Sequence, residues 1–352
     1  MTLEERKNGF IALGKFLSQF SESNSIQKDN VLHNNLFYDD FISLINLSQS
    51  HNGWYTPEQV YYAINSWSKS LVESNLNDWI SSYDLTNENP KSIGLILAGN
   101  IPLVGFHDFL SVLISGHKVL VKTSSNDQHL LPFLAKYLIS VEPKFENYIT
   151  FVEGKLENFD AVIATGSNNT ARYFEYYFKD KPSIIRKSRN SVAVLNGKET
   201  TEDLVNLGED IFRYFGLGCR NVSKLFVPKG YDFTHFFESI FVHQDIIKYE
   251  KYANNYDYNK AVFLMSLYKL LDNGFLTIKE DNSYASPISS VFYEFYDDLE
   301  IIKERLASDS EQIQCIVSND LVEKSIAFGQ TQQPHLWDYA DNVDTITFLN
   351  NL

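Results

Sequence analysis

From residue 91 onward the chain alternates between short apolar segments and longer segments with helical periodicity. The apolar segments predict strands at Ile93–Leu97, His117–Val121, Ile149–Val152 and Ala161–Ala164. The segments between and after them predict helices at Val104–Leu113, Gln128–Leu138 and Thr170–Phe178. Parallel strands need crossover connections, which are usually helices, so the alternation favours βαβ units and a parallel sheet. The sequence therefore predicts an α/β fold.

A second α/β series begins after a basic, polar stretch at Arg186–Asn190, which we interpret as a joint between domains. Its predicted strands are Val192–Leu195, Lys224–Val227, Ser290–Phe295 and a buried strand around Cys315; its predicted helices are Leu204–Tyr214, Phe233–Phe241, Asn259–Leu271 and Leu299–Leu306. The region before the first series is mostly helical by pattern, with a helix start at Thr56-Pro57. These patterns divide the chain into four ranges: 1–90, 91–188, 189–325 and a C-terminal segment, 326–352.

Charge and composition exclude several partners. The chain has 352 residues, with 30 lysines and arginines against 45 aspartates and glutamates, a net charge of −15. Such a surface disfavours nucleic acid and anionic membranes as partners. The longest apolar runs, such as Ile93–Ala98, are far too short to span a membrane. Histidines at metal-ligand spacing, HExxH and CxxC are absent from the sequence, so no metal is expected.

The cysteine content bears on the compartment. Two cysteines in unlike contexts do not make a disulfide framework, which fits a reducing compartment. The first residues, Met1–Lys7, are not followed by the apolar segment of a signal peptide. A cytoplasmic protein is therefore expected, and assembly into a homo-oligomer stays open.

One of the two cysteines lies in a turn rich in small residues, Gly216-Leu217-Gly218-Cys219-Arg220. Glycines allow a backbone and a substrate to approach closely, as a thiolate nucleophile requires if its own amide is to bind an oxyanion. The alternative is a small buried apolar side chain, the usual role of a free cysteine. Cys315, in contrast, lies in an apolar segment and is predicted to be buried.

Polar residues follow the first two strands of the first series. Asn100 comes after Ile93–Leu97, and either caps the next helix or donates its amide to a developing oxyanion. The next strand ends in Val121-Lys122-Thr123-Ser124-Ser125. The Lys122 ammonium is directed either to a ribose or phosphate or to solvent. Ligands of open α/β sheets bind outside the carboxyl ends of the strands, where all these residues are predicted to lie.

A third loop, Thr165-Gly166-Ser167, precedes the predicted helix at Thr170–Phe178. Helix N-termini attract anions through their N–H groups and the helix dipole. Gly166 and Ser167 are therefore candidates for binding a phosphate, although the G-x-G-x-x-G fingerprint is missing.

In this order, the Asn100, Lys122, Gly166-Ser167 and Cys219 motifs resemble those of the aldehyde dehydrogenase superfamily. Within it the chain is most similar to the acyl-CoA reductase family that includes the bacterial bioluminescence fatty acid reductase subunit. The similarity covers about residues 90–350, including Ser223–Pro228 after the cysteine and Phe328–Pro334 near the C-terminus. It implies a Rossmann-type nucleotide-binding domain at 91–188 and an α/β catalytic domain at 189–325.

The resemblance also implies residue roles. Cys219 would be the nucleophile and Asn100 its oxyanion donor, while Lys122, Ser124, Ser125, Gly166 and Ser167 would bind the cofactor, NADPH or NADH. The substrate would be an acyl-CoA or another activated acyl group, reduced to an aldehyde through an acyl-cysteine. Relatives that prefer NAD place a glutamate where this chain has Ser125, so NADPH is expected to be accepted at least as well as NADH.

The chain departs from the superfamily at three points, one of which is Leu217, where a glutamine commonly stands two residues before the nucleophile. Hydrolytic members carry a water-activating glutamate where this chain has Arg186–Ser191, which contains no carboxylate. The acid that binds the nicotinamide ribose is also missing, since Ser283–Pro287 is the nearest match. The absence of the water-activating glutamate fits reduction of an acyl thioester. Two alternatives stay open: reduction of an acyl phosphate, and an acyl-carrying scaffold without reductase activity.

Overall fold

The computed structural model of the protein describes residues 1–86 and 89–352. The N-terminal region is helical, as predicted, with α1 (Leu3–Leu17), α2 (Asn34–His51), α3 (Pro57–Ser70) and α4 (Glu73–Ile80). Two of these helices begin at residues whose side chains cap the helix N-terminus. Thr2 and Glu5 form a capping box on α1, and Thr56 caps α3 just before Pro57.

The first α/β series follows. Its elements are β1 (Ser92–Ile96), α5 (Phe106–Ile114), β2 (Lys118–Lys122), α6 (Leu130–Val141), β3 (Ile149–Phe151), β4 (Ala161–Thr165), α7 (Asn168–Tyr177) and β5 (Ser183–Arg186). All five strands are parallel, in the order β3-β2-β1-β4-β5. The four predicted strands and the parallel sheet are confirmed. Strand β5 was not predicted.

The two compact units of the chain divide between Lys187 and Ser188, within the stretch interpreted as a joint, but Arg186 itself belongs to the first sheet. Arg186 is the last residue of β5 and only 4% exposed. Its guanidinium makes a two-pronged ion pair with Asp108 of α5, with Nη2 to Oδ1 at 2.7 Å and Nε to Oδ2 at 3.2 Å. A buried arginine is tolerated only when its charge is paired and hydrogen-bonded, which the sequence alone did not reveal.

The second α/β series comprises β6 (Asn190–Val194), α8 (Thr201–Phe212), β7 (Val222–Pro228), α9 (Phe233–Ile240), α10 (Glu250–Met265), β8 (Leu270–Asp272), β9 (Thr277–Glu280), β10 (Ser290–Tyr296), α11 (Leu299–Ser308) and β11 (Ile313–Val317); the last helix is α12 (Thr345–Asn350). The sheet order is β11-β6-β7-β10-β9-β8. Only the β8–β9 pair among these described strands is antiparallel.

Two predicted helices have different boundaries. The helix expected at Asn259–Leu271 is wrong beyond Met265, because Leu267 adopts a left-handed φ of 60° and the chain turns into β8. Apolar residues continue through this turn, so the sequence pattern indicated neither the end of the helix nor the strands β8 and β9 that follow. The helix expected at Leu204–Tyr214 ends earlier, at Phe212.

The chain forms two compact units, residues 1–187 with 335–352, and residues 188–334. The N-terminal helices and the first sheet thus share unit 1. The C-terminal residues join its core through a hydrogen bond from Trp79 Nε1 to the Tyr339 hydroxyl at 2.7 Å and one between His117 Nε2 and the Leu349 carbonyl at 3.1 Å. The stretch 326–352 is therefore divided between the units. In the part of the chain described, no helix combines the length and apolarity needed to cross a bilayer.

Candidate functional site

The candidate residues of unit 1 are brought to one edge of its sheet. Ile96 at the end of β1 pairs with Lys122 at the end of β2 and with Ala164 near the end of β4. The Leu97 amide extends this pairing by donating to the Lys122 carbonyl at 3.0 Å. The loops carrying Asn100, Lys122–Ser125 and Gly166–Ser167 therefore all leave the sheet at the carboxyl ends of adjacent strands, where α/β proteins bind ligands.

Asn100 is exposed in the loop between β1 and α5. The N-cap of α5 is Gly105, so the interpretation of Asn100 as the cap of this helix is wrong. The loop is anchored from the helical region, because Tyr55 donates its hydroxyl to the Ile101 carbonyl at 2.9 Å. It also packs closely on the β2 loop, since a Cβ placed on Gly99 would lie 2.7 Å from the Ser124 side chain. The Asn100 backbone is thus supported on two sides.

Asp127 contributes to the same support and was not singled out from the sequence. Its carboxyl group is hydrogen-bonded to the backbone amides of Leu103 and Leu130 and to the Tyr55 hydroxyl. Leu103 has a left-handed φ of 57°, so a bond to its amide fixes a strained position of the Asn100 loop. Protein atoms surround the carboxyl group, and this burial raises the pKa of Asp127 to about 6 despite the three hydrogen bonds.

Lys122 has a protein partner, the carbonyl of Gly154, at 2.9 Å from its Nζ. An ammonium group carries three donors, so this bond is compatible with a further hydroxyl or anionic ligand. In the turn that follows, Ser124 Oγ accepts from the Asn126 amide at 3.2 Å, and Ser125 is exposed. The loop therefore presents a cation and hydroxyl groups at the sheet edge.

The helix start predicted at Gly166-Ser167 is confirmed. Ser167 is the N-cap of α7, and its Oγ accepts from the Thr170 amide at 3.3 Å. Gly166 bonds back to the sheet through its amide, which donates to the Arg186 carbonyl at 3.1 Å. The positive end of the α7 dipole therefore lies at the carboxyl end of β4, the arrangement that stabilises phosphate.

Cys219 lies in unit 2, three residues before β7, and it is exposed. It occupies a four-residue turn closed by the Asn221 amide, which donates to the Gly218 carbonyl at 3.0 Å. The Cys219 carbonyl accepts from the Ser191 hydroxyl at 2.9 Å, and Ser191 is fully buried at the start of β6. The turn thus combines an accessible thiol with a fixed backbone. Cys315 is 5% exposed in β11, in line with the prediction.

Strained backbone precedes this turn. Tyr214, Phe215 and Gly216 have consecutive left-handed φ values of 53°, 58° and 76°. Tyr214 and Phe215 are nonetheless buried, and the Phe215 ring stacks on Tyr249 with a centroid separation of 4.7 Å. Left-handed aromatic residues are unfavourable by roughly 1 kcal/mol or more each, and such positions cluster at functional sites. Only the glycine was evident as a turn signal from the sequence.

Asp210 ties the end of α8 to the C-terminal motif of unit 2. Its buried carboxylate accepts from the Gly329 amide at 2.7 Å and from the Thr331 amide and hydroxyl at 3.0 and 2.8 Å. Burial outweighs these bonds and raises the pKa of Asp210 to about 6. Its partners lie about 120 positions away in the chain, so no local signal could have identified it.

Among the described residues, no group of three histidine, cysteine, aspartate or glutamate side chains is arranged to bind a metal ion. The donor groups at the edge of the first sheet are an ammonium, hydroxyls and a helix N-terminus. Such groups bind phosphate and ribose rather than cations.

Comparison with known proteins places this geometry in context. Residues 75–240 match the family described as "Acyl-CoA reductase (LuxC)". No curated protein sequence matches the chain significantly.

Solved aldehyde dehydrogenases share the fold. The chain is similar to the enzyme from Bacillus cereus in complex with NAD⁺, at 14% identity and a TM-score of 0.63, over 90% of this chain and 72% of that one. It is also similar to aldehyde dehydrogenase 21 from Physcomitrella patens in complex with succinate, at 14% identity and a TM-score of 0.63, over 91% and 74% of the two chains. The enzyme from Mycobacterium tuberculosis, complexed with NAD⁺, gives 14% identity and a TM-score of 0.61, over 90% and 72%. The expected aldehyde dehydrogenase-like fold is confirmed.

Proposed function

We propose that the chain reduces an acyl-CoA thioester to an aldehyde through an acyl group on Cys219, on the premise that residues 75–240 match the acyl-CoA reductase (LuxC) family. The observation that carries the proposal is the contrast between the two thiols. Cys219 is exposed on an anchored turn, whereas Cys315 is buried within a strand. Only the first is presented to a bulky acyl donor.

The residues of unit 1 fit a nicotinamide dinucleotide. Lys122 and Ser124 offer a cation and a hydroxyl for a ribose, and the N-terminus of α7 at Gly166–Ser167 suits the pyrophosphate. Ser125 places no carboxylate where it would repel a 2′-phosphate, which favours NADPH over an NADH-only site. When bound, this cofactor supplies the hydride that reduces the acyl group.

The chain's own residues perform the acyl transfer. The Cys219 thiolate attacks the thioester carbonyl, and the Cys219 amide stabilises the oxyanion that develops. The family resemblance implies the Asn100 side chain as a second donor. Each such donor typically contributes about 3–4 kcal/mol. Collapse of the tetrahedral adduct breaks the bond to the CoA sulfur, and CoA leaves as its thiolate. After reduction, the Cys219 sulfur is again the leaving group, which frees the aldehyde.

The residues near segment 186–191 also fit an acyl-enzyme that is not readily hydrolysed. The segment 186–191 contains no carboxylate, and the acid that packs on it, Asp108, is committed to its two bonds with Arg186. A general base contributes roughly a hundredfold to ten-thousandfold to such a step. Water is therefore expected to attack the Cys219 thioester slowly.

The test is incubation of the protein with a panel of acyl-CoAs and acyl phosphates, with NADPH or NADH. Cofactor oxidation, aldehyde formation and the mass of the Cys219 peptide are followed together. We expect an acyl adduct on Cys219 and oxidation of NADPH with acyl-CoA. Turnover with acyl phosphate alone would replace the proposed donor, and acylation without any cofactor binding would indicate a scaffold.

The reverse reaction tests whether water hydrolyses the acyl-Cys219 thioester. Aldehyde and NADP⁺ should yield acyl-CoA when CoA is present and little free acid when it is absent. Rapid formation of free acid without CoA would identify a hydrolytic dehydrogenase instead.

A further inference from the structure

The turn that carries Cys219 is bonded to a single buried side chain two residues further on. Asn221 is 3% exposed, and its Oδ1 accepts from the Gly218 amide at 2.8 Å. Its own amide closes the same turn by donating to the Gly218 carbonyl. Asn221 therefore bonds both the donor and the acceptor of the residue that immediately precedes the nucleophile.

The other end of this side chain caps helix α8. Its Nδ2 lies 3.0 Å from the Asp210 carbonyl, 3.4 Å from that of Ile211 and 2.8 Å from that of Arg213. The last carbonyls of a helix lack intrahelical partners, so a buried helix end needs donors from elsewhere. Asn221 supplies two N–H donors from across the strained Tyr214–Gly216 segment.

These bonds span the left-handed segment completely. Its N-terminal side is bound through the Arg213 carbonyl and its C-terminal side through the Gly218 amide, both to the same side chain. Consecutive left-handed residues persist only where the surroundings determine them. Removing Asn221 would release both sides at once.

We propose that Asn221 is the positioning residue of the nucleophile: by bonding Gly218 and the end of α8, it fixes the one backbone conformation in which the Cys219 thiol and amide face the acyl group together. The effect of Asn221 on catalysis rests on the proposed function. Ser191, which donates to the Cys219 carbonyl, supports the same turn from β6. Small misplacements of a nucleophile lower rates strongly, so the effect should fall on turnover rather than on substrate binding.

The test compares the full-length wild type with Asn221→Ala, Asn221→Ser and a matched control, Asn34→Ala. Asn34 is an equally typical buried amide, 7% exposed, and it bonds Gln19 and the Lys28 carbonyl within unit 1. Amide hydrogen exchange of peptides covering residues 214–222 is measured, together with kcat and KM for an acyl-CoA. Asn221→Ser keeps a hydroxyl that can donate or accept and adds no charge to the buried site, so it provides a milder change if Asn221→Ala does not fold.

In Asn221→Ala, the amide hydrogens of residues 214–222 should exchange roughly tenfold faster or more, because the Gly218 amide has lost its hydrogen-bond acceptor. Its kcat should fall at least about tenfold with KM within about twofold, and Asn221→Ser should lie between it and wild type. Asn34→Ala should lower the melting temperature without either change. Unaltered exchange at 214–222 in the Asn221 variants, or an equal loss of kcat in Asn34→Ala, would overturn the proposal. A wild type without reductase activity would overturn the proposed function, while the exchange measurement still decides whether Asn221 fixes the turn.

Discussion

Arg220 Nη1 donates a hydrogen bond to the sulfur of Cys315 at 3.4 Å, although Arg220 follows the other cysteine, Cys219, in the chain. This contact joins the turn of the exposed thiol to strand β11, where the second thiol is buried. The two cysteines are thus in one neighbourhood of unit 2 but differ in access to solvent.

We expect Cys219→Ala to abolish aldehyde formation while cofactor binding persists, because no other accessible thiol is present in the sequence. Cys315→Ala should keep most of the activity, since this thiol is buried. Cofactor oxidation and peptide masses after incubation with acyl-CoA test both statements. An acyl group recovered on Cys315 would reverse the assignment.

Asn100→Ala should lower kcat by roughly a hundredfold or more, as the loss of one oxyanion donor does. Asn100 is exposed and does not cap α5, so its melting temperature should stay close to that of wild type. Steady-state kinetics alongside thermal unfolding measure the two effects. Unfolding without a specific loss of turnover would mean that Asn100 serves the fold alone.

Ser125→Glu should shift the cofactor preference from NADPH towards NADH, because a carboxylate there would repel a 2′-phosphate and bind a 2′-hydroxyl. Ser74→Glu, at an exposed serine of α4, adds the same charge as a control and should not change the preference. The ratio of kcat/KM for the two cofactors is the measurement. A strong NADH preference that Ser125→Glu leaves unchanged would contradict the assignment of this loop.

Asp108→Asn should destabilise unit 1 by about 3–5 kcal/mol, the usual cost of leaving one partner of a buried ion pair alone. The remaining Arg186 would stay buried with an uncompensated charge. Lys187→Met breaks the neighbouring but exposed pair with Glu175 and should cost at most about 1 kcal/mol. The free energy of unfolding of each variant is measured with denaturant. Equal decreases in the two variants would show that the buried Arg186–Asp108 pair contributes no more to stability than the exposed pair.

Asp210→Asn should make stability less dependent on pH between about 4 and 6. Burial raises the folded-state pKa of Asp210 to about 6 from 3.8, so the folded state binds the proton more tightly. This carboxyl therefore stabilises the fold below pH 4, and its contribution is lost as the pH rises to 6, on the order of 3 kcal/mol in all. The free energy of unfolding, measured for both proteins across this range, should converge on the acid side. A constant difference would mean that Asp210 titrates normally.

Local signals predicted most elements of the fold but not all. Buried strands such as β1 and β4 are continuous apolar runs, and helices such as α3 begin at side-chain caps, so both are visible in the sequence. Strand β5 ends in Arg186, whose burial depends on Asp108 from another element, and β8 follows α10 without a polar break. Tertiary contacts decided these cases.

The candidate site divides in the same way. Asn100, Lys122 and Ser167 follow predicted strands, so their common edge could be inferred from topology. The roles of Asp127, Asp210 and Asn221 depend on side-chain bonds to backbone groups of other elements, which no spacing indicates. Polar residues in loops are too common for these three to be identified without the structure.

Unit 1 is built from both ends of the chain, since residues 335–352 complete a core begun by residues 1–187. Arg186 donates to the Ala340 carbonyl and the Thr345 hydroxyl, and Trp79 donates to the Tyr339 hydroxyl. During synthesis these hydrogen bonds cannot form until the C-terminal residues have been translated. A ribosome adds roughly 5–20 residues per second, so translation of the intervening 188–334 lasts many seconds. The nascent first sheet is therefore exposed to chaperones and proteases for that interval, whereas unit 2, one continuous segment, can fold as soon as it emerges.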